Sequence, residues 1–386
     1  MPKINKIKVS VVVPIYGVEK YLRQSLDAMV AQTLQDMEFI LVDDGSPDKC
    51  PEICDEYAAR DKRFRVIHQK NGGMGNAYNN GIAAAVGEYI GMAEPDDWME
   101  PDMYELLYAQ AKKFDADLVK CPFFYYNSFT NPKDHIDKNL SLEKWAPENK
   151  VFSIYEYPEI LLCHSSVWAS LFRSKIIKTI RFSETRGASY QDFPFMIEGF
   201  VKSPRIVTVH KHLIHYRQEP GNMSSITRTD ARCMLMVTQC EIARDILEKY
   251  HALDKLQSEF YLAAFIANKG LFSRIQSQYK KKYFDLLHNL FAPLKDNISF
   301  QYKYFNYGDK LMLDAIINNN YNMALKYTKH TSEYKLFGIP LLTIKYRFPK
   351  ISFSCFGIQI FKTMETTRHK KYYLFGVKIF SKKVKH

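Results

Sequence analysis

The chain has 386 residues, is 46% hydrophobic and carries a formal net charge of +12. That length suits two or three domains of roughly 150 residues each, and the hydrophobic content permits a large buried core. The seven cysteines are scattered and exclude a zinc knuckle, since Cys50 and Cys54 are four apart with no second pair. No apolar run approaches the roughly 18 residues that span a bilayer. The positive charge points to an acidic partner: a nucleotide, nucleic acid or an anionic membrane surface. It is unevenly spread, because Thr331 to His386 holds 12 Lys+Arg against 2 Asp+Glu.

Met1-Pro2-Lys3 leads directly into the first strand with no secretory signal, so a cytoplasmic location is expected. Val9-Ser10-Val11-Val12-Val13-Pro14 is β-branched and reads as a buried parallel strand. Ile15-Tyr16-Gly17 makes the turn, and Leu22, Leu26, Met29, Val30 and Leu34 follow at helical spacing. Phe39–Val42 is a second strand ending in Asp43-Asp44-Gly45-Ser46. Pro51 opens a helix, and Arg65–Ile67 is a third strand. Asn71–Asn76 forms a glycine-containing loop that feeds a helix over about 77–85. The fourth strand lies in Glu88–Met92 and ends abruptly in Glu94, Asp96, Asp97 and Trp98. Alternating strands and helices predict a mainly parallel sheet with helices on both faces.

Tyr16, Asp43/Asp44 and Glu94/Asp96 therefore stand at strand ends on one edge, where open α/β sheets place ligands. Their chemistry suits a nucleoside diphosphate. Tyr16 could stack on a base, and an Asp could accept from a base N–H or a ribose hydroxyl. Glu94 and Asp96, two apart, could share one Mg²⁺ or Mn²⁺ with substrate phosphate oxygens. An acidic surface turn is the alternative for this stretch. The glycine loop is no dinucleotide fingerprint, because Tyr78 stands where a third glycine is needed. No Walker-type loop occurs, and no basic glycine-rich loop follows the first strand.

Val11–Tyr16, Val42–Ser46, Asn71-Gly72-Gly73 and Glu94-Pro95-Asp96-Asp97-Trp98 together resemble, in order and spacing, the inverting glycosyltransferases of family 2 with the GT-A fold. The resemblance covers about residues 7–225. It implies a nucleotide-binding turn at Pro14, Ile15, Tyr16 and Glu19, and a uracil contact at Asp44. Asn71, Gly72, Gly73, Asn79, Ala93, Glu94 and Pro95 complete the implied nucleotide site, while Asp43 holds its turn. Glu94 and Asp96 match the family's metal-binding Asp-x-Asp, and Asp97 and Trp98 line or buttress the sugar side. Glu94 replaces an Asp, and Tyr78 replaces an Arg expected to reach phosphate or sugar.

Pro101 starts a helix running to about Phe114, and Ala116–Cys121 is a further strand. Residues 127–150 read as an insertion or solvated loop. Ser166–Arg173 reads as a strand, with Trp168 either an acceptor-pocket wall or a core residue. Asp192 lies in an aromatic turn before a helix over about 194–202. The residue suits a helix N-cap, whereas the resemblance makes it the catalytic base, with Gln191 replacing the family's Glu. His210–Arg217 is a basic cluster with poor zinc spacing; the resemblance offers His215 to the metal and Arg217 to the diphosphate or sugar. Gly221–Ser225 reads as a loop that orders on substrate binding.

From about Thr229 amphipathic helices follow, expected either to shield the catalytic domain or to make a homodimer. Leu336–Leu341, Cys355–Ile360 and Leu374–Ile379 form a near-repeat, each copy about 20 residues from the next, that predicts hairpins or short stacked strands. The surrounding lysines and aromatics fit an anionic leaflet, or a lipid-linked or acidic glycan acceptor, better than nucleic acid. A merely solubilising tail is the alternative.

The sequence thus predicts an α/β protein of GT-A fold over 1–225, a helical region over 226–330 and a basic β-rich tail over 331–386. The expected function is inverting, metal-dependent transfer from a nucleotide sugar, UDP-linked because Asp44 suits uracil, to a glycan or lipid-linked hydroxyl in surface-polysaccharide synthesis. A non-catalytic nucleotide-sugar or glycan-binding module associated with the membrane is the competing class, supported by Glu94, Gln191 and Tyr78.

Overall fold

The computed structural model describes residues 7–126, 136–138, 141–184, 189–218, 228–336, 339–347, 350–355, 358–365, 369–374 and 377–383; for 136–138 and beyond 328 it describes backbone pairing alone. The chain divides into two compact units. One comprises Met1–Arg228 with Thr238–Phe260, the other Thr229–Val237 with Tyr261–His386.

The first unit alternates as expected. Its elements are β1 (Val9–Ile15), α1 (Glu19–Val30), β2 (Met37–Asp43), α2 (Cys50–Arg60), β3 (Phe64–His68), α3 (Met74–Ala84), β4 (Tyr89–Met92), β5 (Trp98–Met99) and α4 (Met103–Lys113). There follow β6 (Leu118–Lys120), β7 (Phe124–Tyr126), β8 (Ile136–Lys138), α5 (Ser141–Trp145), β9 (Ser170–Arg173), α6 (Ser174–Ile177), α7 (Asp192–Lys202), β10 (Ile206–Thr208) and β11 (Ile214–Arg217). A seven-stranded sheet has the order β10-β6-β9-β4-β1-β2-β3. Every residue of β1 is buried, which is why its sequence is a continuous apolar run rather than an alternation. Each such Val or Ile contributes about 1.5–3 kcal/mol of burial.

The sheet is parallel in four pairings and antiparallel in two, both made by β9 against β4 and β6. Residues 166–173 are not one strand. Val167–Ala169 form a 3₁₀ turn and only Ser170–Arg173 are extended. The Ser166 carbonyl accepts from Lys120 Nζ at 2.8 Å instead of joining a ladder. A second sheet, β5-β11-β7-β8, stands beyond β4. Within the expected insertion, β8 pairs antiparallel with β7 and α5 follows. Past α5 the chain returns to the main sheet's edge, where Glu148 bridges Thr208 and Asn149 N donates to Thr208 O at 3.0 Å. Residues 127–135 and 139–140 of that insertion, and Gly221–Ser225, lie outside the described residues.

Register sets the working edge. Ile15 lies beside Asp43, Asp43 beside His68, and Val12 beside Met92. The C-terminal ends of β1, β2 and β4 therefore open on the same side, and the loops after them carry the predicted site residues.

The second unit holds α10 (Ser277–Phe291), α11 (Tyr307–Ile317) and α12 (Tyr321–Lys326). Before these, α8 (Leu235–Lys249) and α9 (Leu253–Arg274) contribute residues to both units. The amphipathic pattern is a core pattern: Tyr283, Phe284, Leu287, Leu290 and Phe291 of α10 are all buried. A six-stranded antiparallel meander ends the chain: β12 (Lys329–Leu336), β13 (Ile339–Arg347), β14 (Lys350–Cys355), β15 (Ile358–Glu365), β16 (His369–Leu374) and β17 (Val377–Lys383). The predicted hairpins are present, while the Phe-Gly pairs at 337–338, 356–357 and 375–376 lie outside the described residues. No described helix is long and apolar enough to cross a membrane.

Candidate active site

The β2 end is built by two adjacent carboxylates with separate partners. Asp43 Oδ1 accepts from Ser46 N at 3.0 Å and Oδ2 lies 2.9 Å from His68 Nδ1, so Asp43 fixes its turn. Asp44 Oδ1 accepts from Gly72 N and Gln69 Nε2, and Oδ2 from Gly73 N, all at 2.8 Å. A carboxylate has about four lone-pair sites, so Asp44 keeps roughly one for a ligand. Its main work in this structure is to hold the glycine loop against β2. Gly73 has φ +87°, which favours glycine, and aims its N–H at Asp44 as α3 begins.

Pro14 and Ile15 are buried at the end of β1, whereas Tyr16 is 42% exposed, a large ring open to a ligand. Glu19 Oε2 accepts from Lys49 N at 2.8 Å and Asp48 Oδ2 accepts from Glu19 N at 3.0 Å. Glu19 thus ties the starts of α1 and α2 together. Asn71 is exposed on the loop. Asn79 is buried and clamps the 182–184 segment: it donates to Phe182 O and Glu184 Oε1 and accepts from Phe182 N. It acts on the site through that segment.

Past β4, Ala93 N still bonds Val12 O at 3.0 Å, and Pro95 is buried. Glu94 is then turned inward. Tyr78 donates to Glu94 Oε1 at 3.0 Å, with its fully buried ring stacked on Phe182 at 4.6 Å. Where an Arg was expected to reach the ligand, a tyrosine instead positions the carboxylate. Burial pushes the Glu94 carboxyl up to about 8, and the charges of Asp96 and Asp192 push the same way against the Tyr78 bond. Burial also holds Asp97 well above the carboxylate range. Asp97 Oδ1 accepts from Arg217 N at 2.8 Å, while Oδ2 is buried with no protein partner. It lines a small cavity shared with Glu94, Trp98 and Trp168. Trp168 is thus both core and wall: it is buried, packs edge-on against Phe123 at 4.8 Å, and faces that cavity.

Arg217 braces the acidic loop rather than standing open. Nε donates to Asp96 O at 2.9 Å, Nη2 to Gln24 Oε1 at 2.6 Å, and the guanidinium lies over Tyr21, Trp98 and Tyr126. His215 stacks flat on Trp98 at 4.8 Å and 4°, with Nε2 2.7 Å from Glu100 Oε1. Its contacts are those of a wall. Among the described residues no three His, Cys, Asp or Glu gather round one metal position, and so His215 is not brought to Glu94 and Asp96. The two acids nonetheless fit a hard cation: both are half-buried and offer oxygen, and the repulsion of Glu94 by Asp96 is what a divalent charge relieves.

Asp192 opens α7 as its first residue, not as the cap before it. Ser165 Oγ donates to Asp192 Oδ2 at 3.2 Å. Burial raises the carboxyl to about 6, against the pull of Ser165, the helix amides and the Lys120 cation. Lys120 is 2% exposed, and burial lowers it to about 8. Gln191, fully buried, donates to Ser183 O and leaves Oε1 without a protein partner, so it splints the chain before α7. Sequence reasoning missed Tyr78 as a positioning group, and also Ser165, Lys120 and Gln24. Only Lys120 left a trace, a cation in an otherwise apolar strand.

A buried, mostly parallel sheet whose strand ends carry the expected nucleotide-site residues and an acidic loop is the arrangement of a GT-A protein. The chain belongs to glycosyl transferase family 2, whose model matches residues 10–181. It is 31% identical over 258 residues to the glycosyltransferase GlyG of Streptococcus pneumoniae, covering 63% of this chain and 78% of GlyG. It is 34% identical over 232 residues to the uncharacterized glycosyltransferase EpsJ of Bacillus subtilis, covering 56% of this chain and 63% of EpsJ. The chain thus spans less than two thirds of EpsJ. The fold is also that of TarS 1–349 from S. aureus, solved in complex with UDP, at TM-score 0.64 and 18% identity over 83% of this chain and 89% of that one.

Proposed function

We propose that the protein is an inverting glycosyltransferase that moves a sugar from a UDP-sugar to a hydroxyl of a glycan or lipid-linked acceptor in surface-polysaccharide synthesis. The observation that carries this reading is a continuous packed link between the acidic loop and the start of α7. Tyr78, which donates to Glu94, stacks on Phe182 at 4.6 Å, and Phe182 stacks at 3.8 Å on Phe195 of α7, the helix that Asp192 opens, which supports one site shared by Asp192 and the acidic loop. The uridine would sit between Tyr16 and the loop that Asp44 holds. UDP in the similarly folded TarS supports the choice of donor.

Asp192 takes the proton of the acceptor hydroxyl as its oxygen bonds the anomeric carbon. The bond from that carbon to UDP breaks on the opposite face, so an α-linked donor yields a β-linked product. A base near pKa 6 is largely ionised at neutral pH yet still basic, and such catalysis supplies about 10²–10⁴-fold. Glu94 and Asp96 would hold Mn²⁺ or Mg²⁺, whose charge offsets that developing on the diphosphate. Asp97 and the Trp98–Trp168 cavity would receive sugar or acceptor hydroxyls, with Arg217 and His215 fixing the loop that presents them.

The test is Asp192→Asn. UDP-sugar affinity measured by calorimetry should be unchanged while turnover falls by about 10²-fold or more. Undiminished turnover would remove Asp192 as the base. Absence of metal-dependent UDP affinity in the wild type would favour the non-catalytic module.

A further inference from the structure

The C-terminal meander segregates charge by rung. Residues paired across neighbouring strands share a face, and successive rungs alternate faces. One continuous rung is Lys329–Arg347–Lys350–Met364–Lys371–Ser381. Two residues along, on the same face, runs Thr331–Lys345–Ser352–Lys362–Tyr373–Lys378. The rungs between and beyond them belong to the other face. They read His330–Tyr346–Ile351–Thr363–Tyr372–Phe380 and Ser332–Ile344–Phe353–Phe361–Leu374–Val377. Seven Lys and Arg thus fall in two rungs of one face, and no Lys, Arg, Asp or Glu falls in the two opposite rungs; the next rung of that opposite face pairs Glu365, Lys370 and Lys382, and Glu333 is placed on the cationic face. The near-repeat noted in the sequence generates this pattern, and bulges at Tyr334/Lys335, Phe353/Ser354 and Tyr372/Tyr373 recur once per hairpin.

We infer that the Lys/Arg rungs of this sheet form a docking face for an anionic phospholipid leaflet. A face with this excess of cations cannot be buried against protein, because each unpaired buried charge costs several kcal/mol. The seven cations occur on all six strands, so they cover about 24 Å across the sheet at ~4.8 Å per strand. The two rungs lie two residues apart, about 7 Å, so the cations form a band that meets a flat anionic surface along its whole length; a soluble linear polyanion is the competing occupant, and the polyphosphate arm of the test separates the two. The leaflet of choice is anionic because the attraction is coulombic, about 1 kcal/mol per Lys or Arg near such a surface. Docking there would place the chain where lipid-linked acceptors lie. The inference does not depend on the transferase reading, since vesicle binding is measured without donor or acceptor.

The experiment is co-sedimentation of the full chain with phosphatidylcholine vesicles, with and without about one third phosphatidylglycerol. Binding should require phosphatidylglycerol and should fall steeply as salt rises. Lys345→Gln with Lys362→Gln removes two charges from the basic face. Lys370→Gln with Lys382→Gln removes two charges from the other. The first pair should lower the partition coefficient about tenfold or more, and the second should leave it nearly unchanged. Matching circular dichroism melts for both pairs show that folding is intact. Equal losses in the two pairs, equal binding to pure phosphatidylcholine, or preferential capture by soluble polyphosphate at matched phosphate concentration would each overturn the inference.

Discussion

At the residue scale, the site depends on carboxylates held away from their ordinary ionisation. Asp192 is raised by burial to about 6, so its folded value exceeds its unfolded one. The sign follows. The deprotonated carboxylate accumulates as pH climbs through about 6, and with Asp192 in the proposed role of base turnover should rise over that range and flatten above it. Removing the nearby cation by Lys120→Met should move that limb to higher pH, read from the pH dependence of kcat. The linkage runs the opposite way for stability. The Asp192 contribution is complete below about 4 and lost as pH rises through 6. Asp192→Asn should therefore raise Tm at pH 8 more than at pH 5. Tyr78→Phe deletes the donor to Glu94 and leaves a buried acceptor short of a partner, at about 1–3 kcal/mol. Manganese titration followed by electron paramagnetic resonance should show weaker metal binding in Tyr78→Phe, with the fold retained. Unchanged affinity would mean that Glu94 is held by something other than Tyr78.

At the scale of elements, the long apolar strands were legible and the short ones were not. β1 and β2 announce themselves because they are buried from end to end. β5 has two residues, β7 has three and β11 has four, too few to show a period, so the β5-β11-β7-β8 sheet has no sequence signature. β9 was expected to start four residues earlier, because a buried 3₁₀ turn and a buried strand are equally apolar. The acidic loop was found from its position after β4, but its construction was hidden. Asp44 lies 28 and 29 residues from the glycines it holds, and Arg217 lies 121 from Asp96. Such pairings are products of the fold. They carry a prediction for the element: Asp44→Ala frees the Gly72–Gly73 loop and unpairs its amides. The loss should be at least about 2 kcal/mol in urea denaturation, with UDP affinity lost alongside. Stability within error of wild type would show that the loop is held elsewhere.

At the scale of the whole molecule, the charge has two destinations. Residues 331–386 hold 12 of the 54 Lys+Arg and 2 of the 42 Asp+Glu, leaving 42 against 40 in the remainder. Residues 1–330 therefore carry no large basic excess with which to meet a diphosphate, and the loop after β4 is itself acidic. On this account a divalent cation must accompany the nucleotide. Linkage makes that measurable, because a ligand that binds only the folded state raises Tm as its concentration passes its dissociation constant. The direct measurement is thermal unfolding of the wild type with UDP, with Mn²⁺, and with both, repeated with Glu94→Ala/Asp96→Ala. UDP and Mn²⁺ together should raise Tm by more than the sum of their separate effects, and the double substitution should abolish the excess. No stabilisation by UDP at any metal concentration, or an excess that survives the double substitution, would contradict the account.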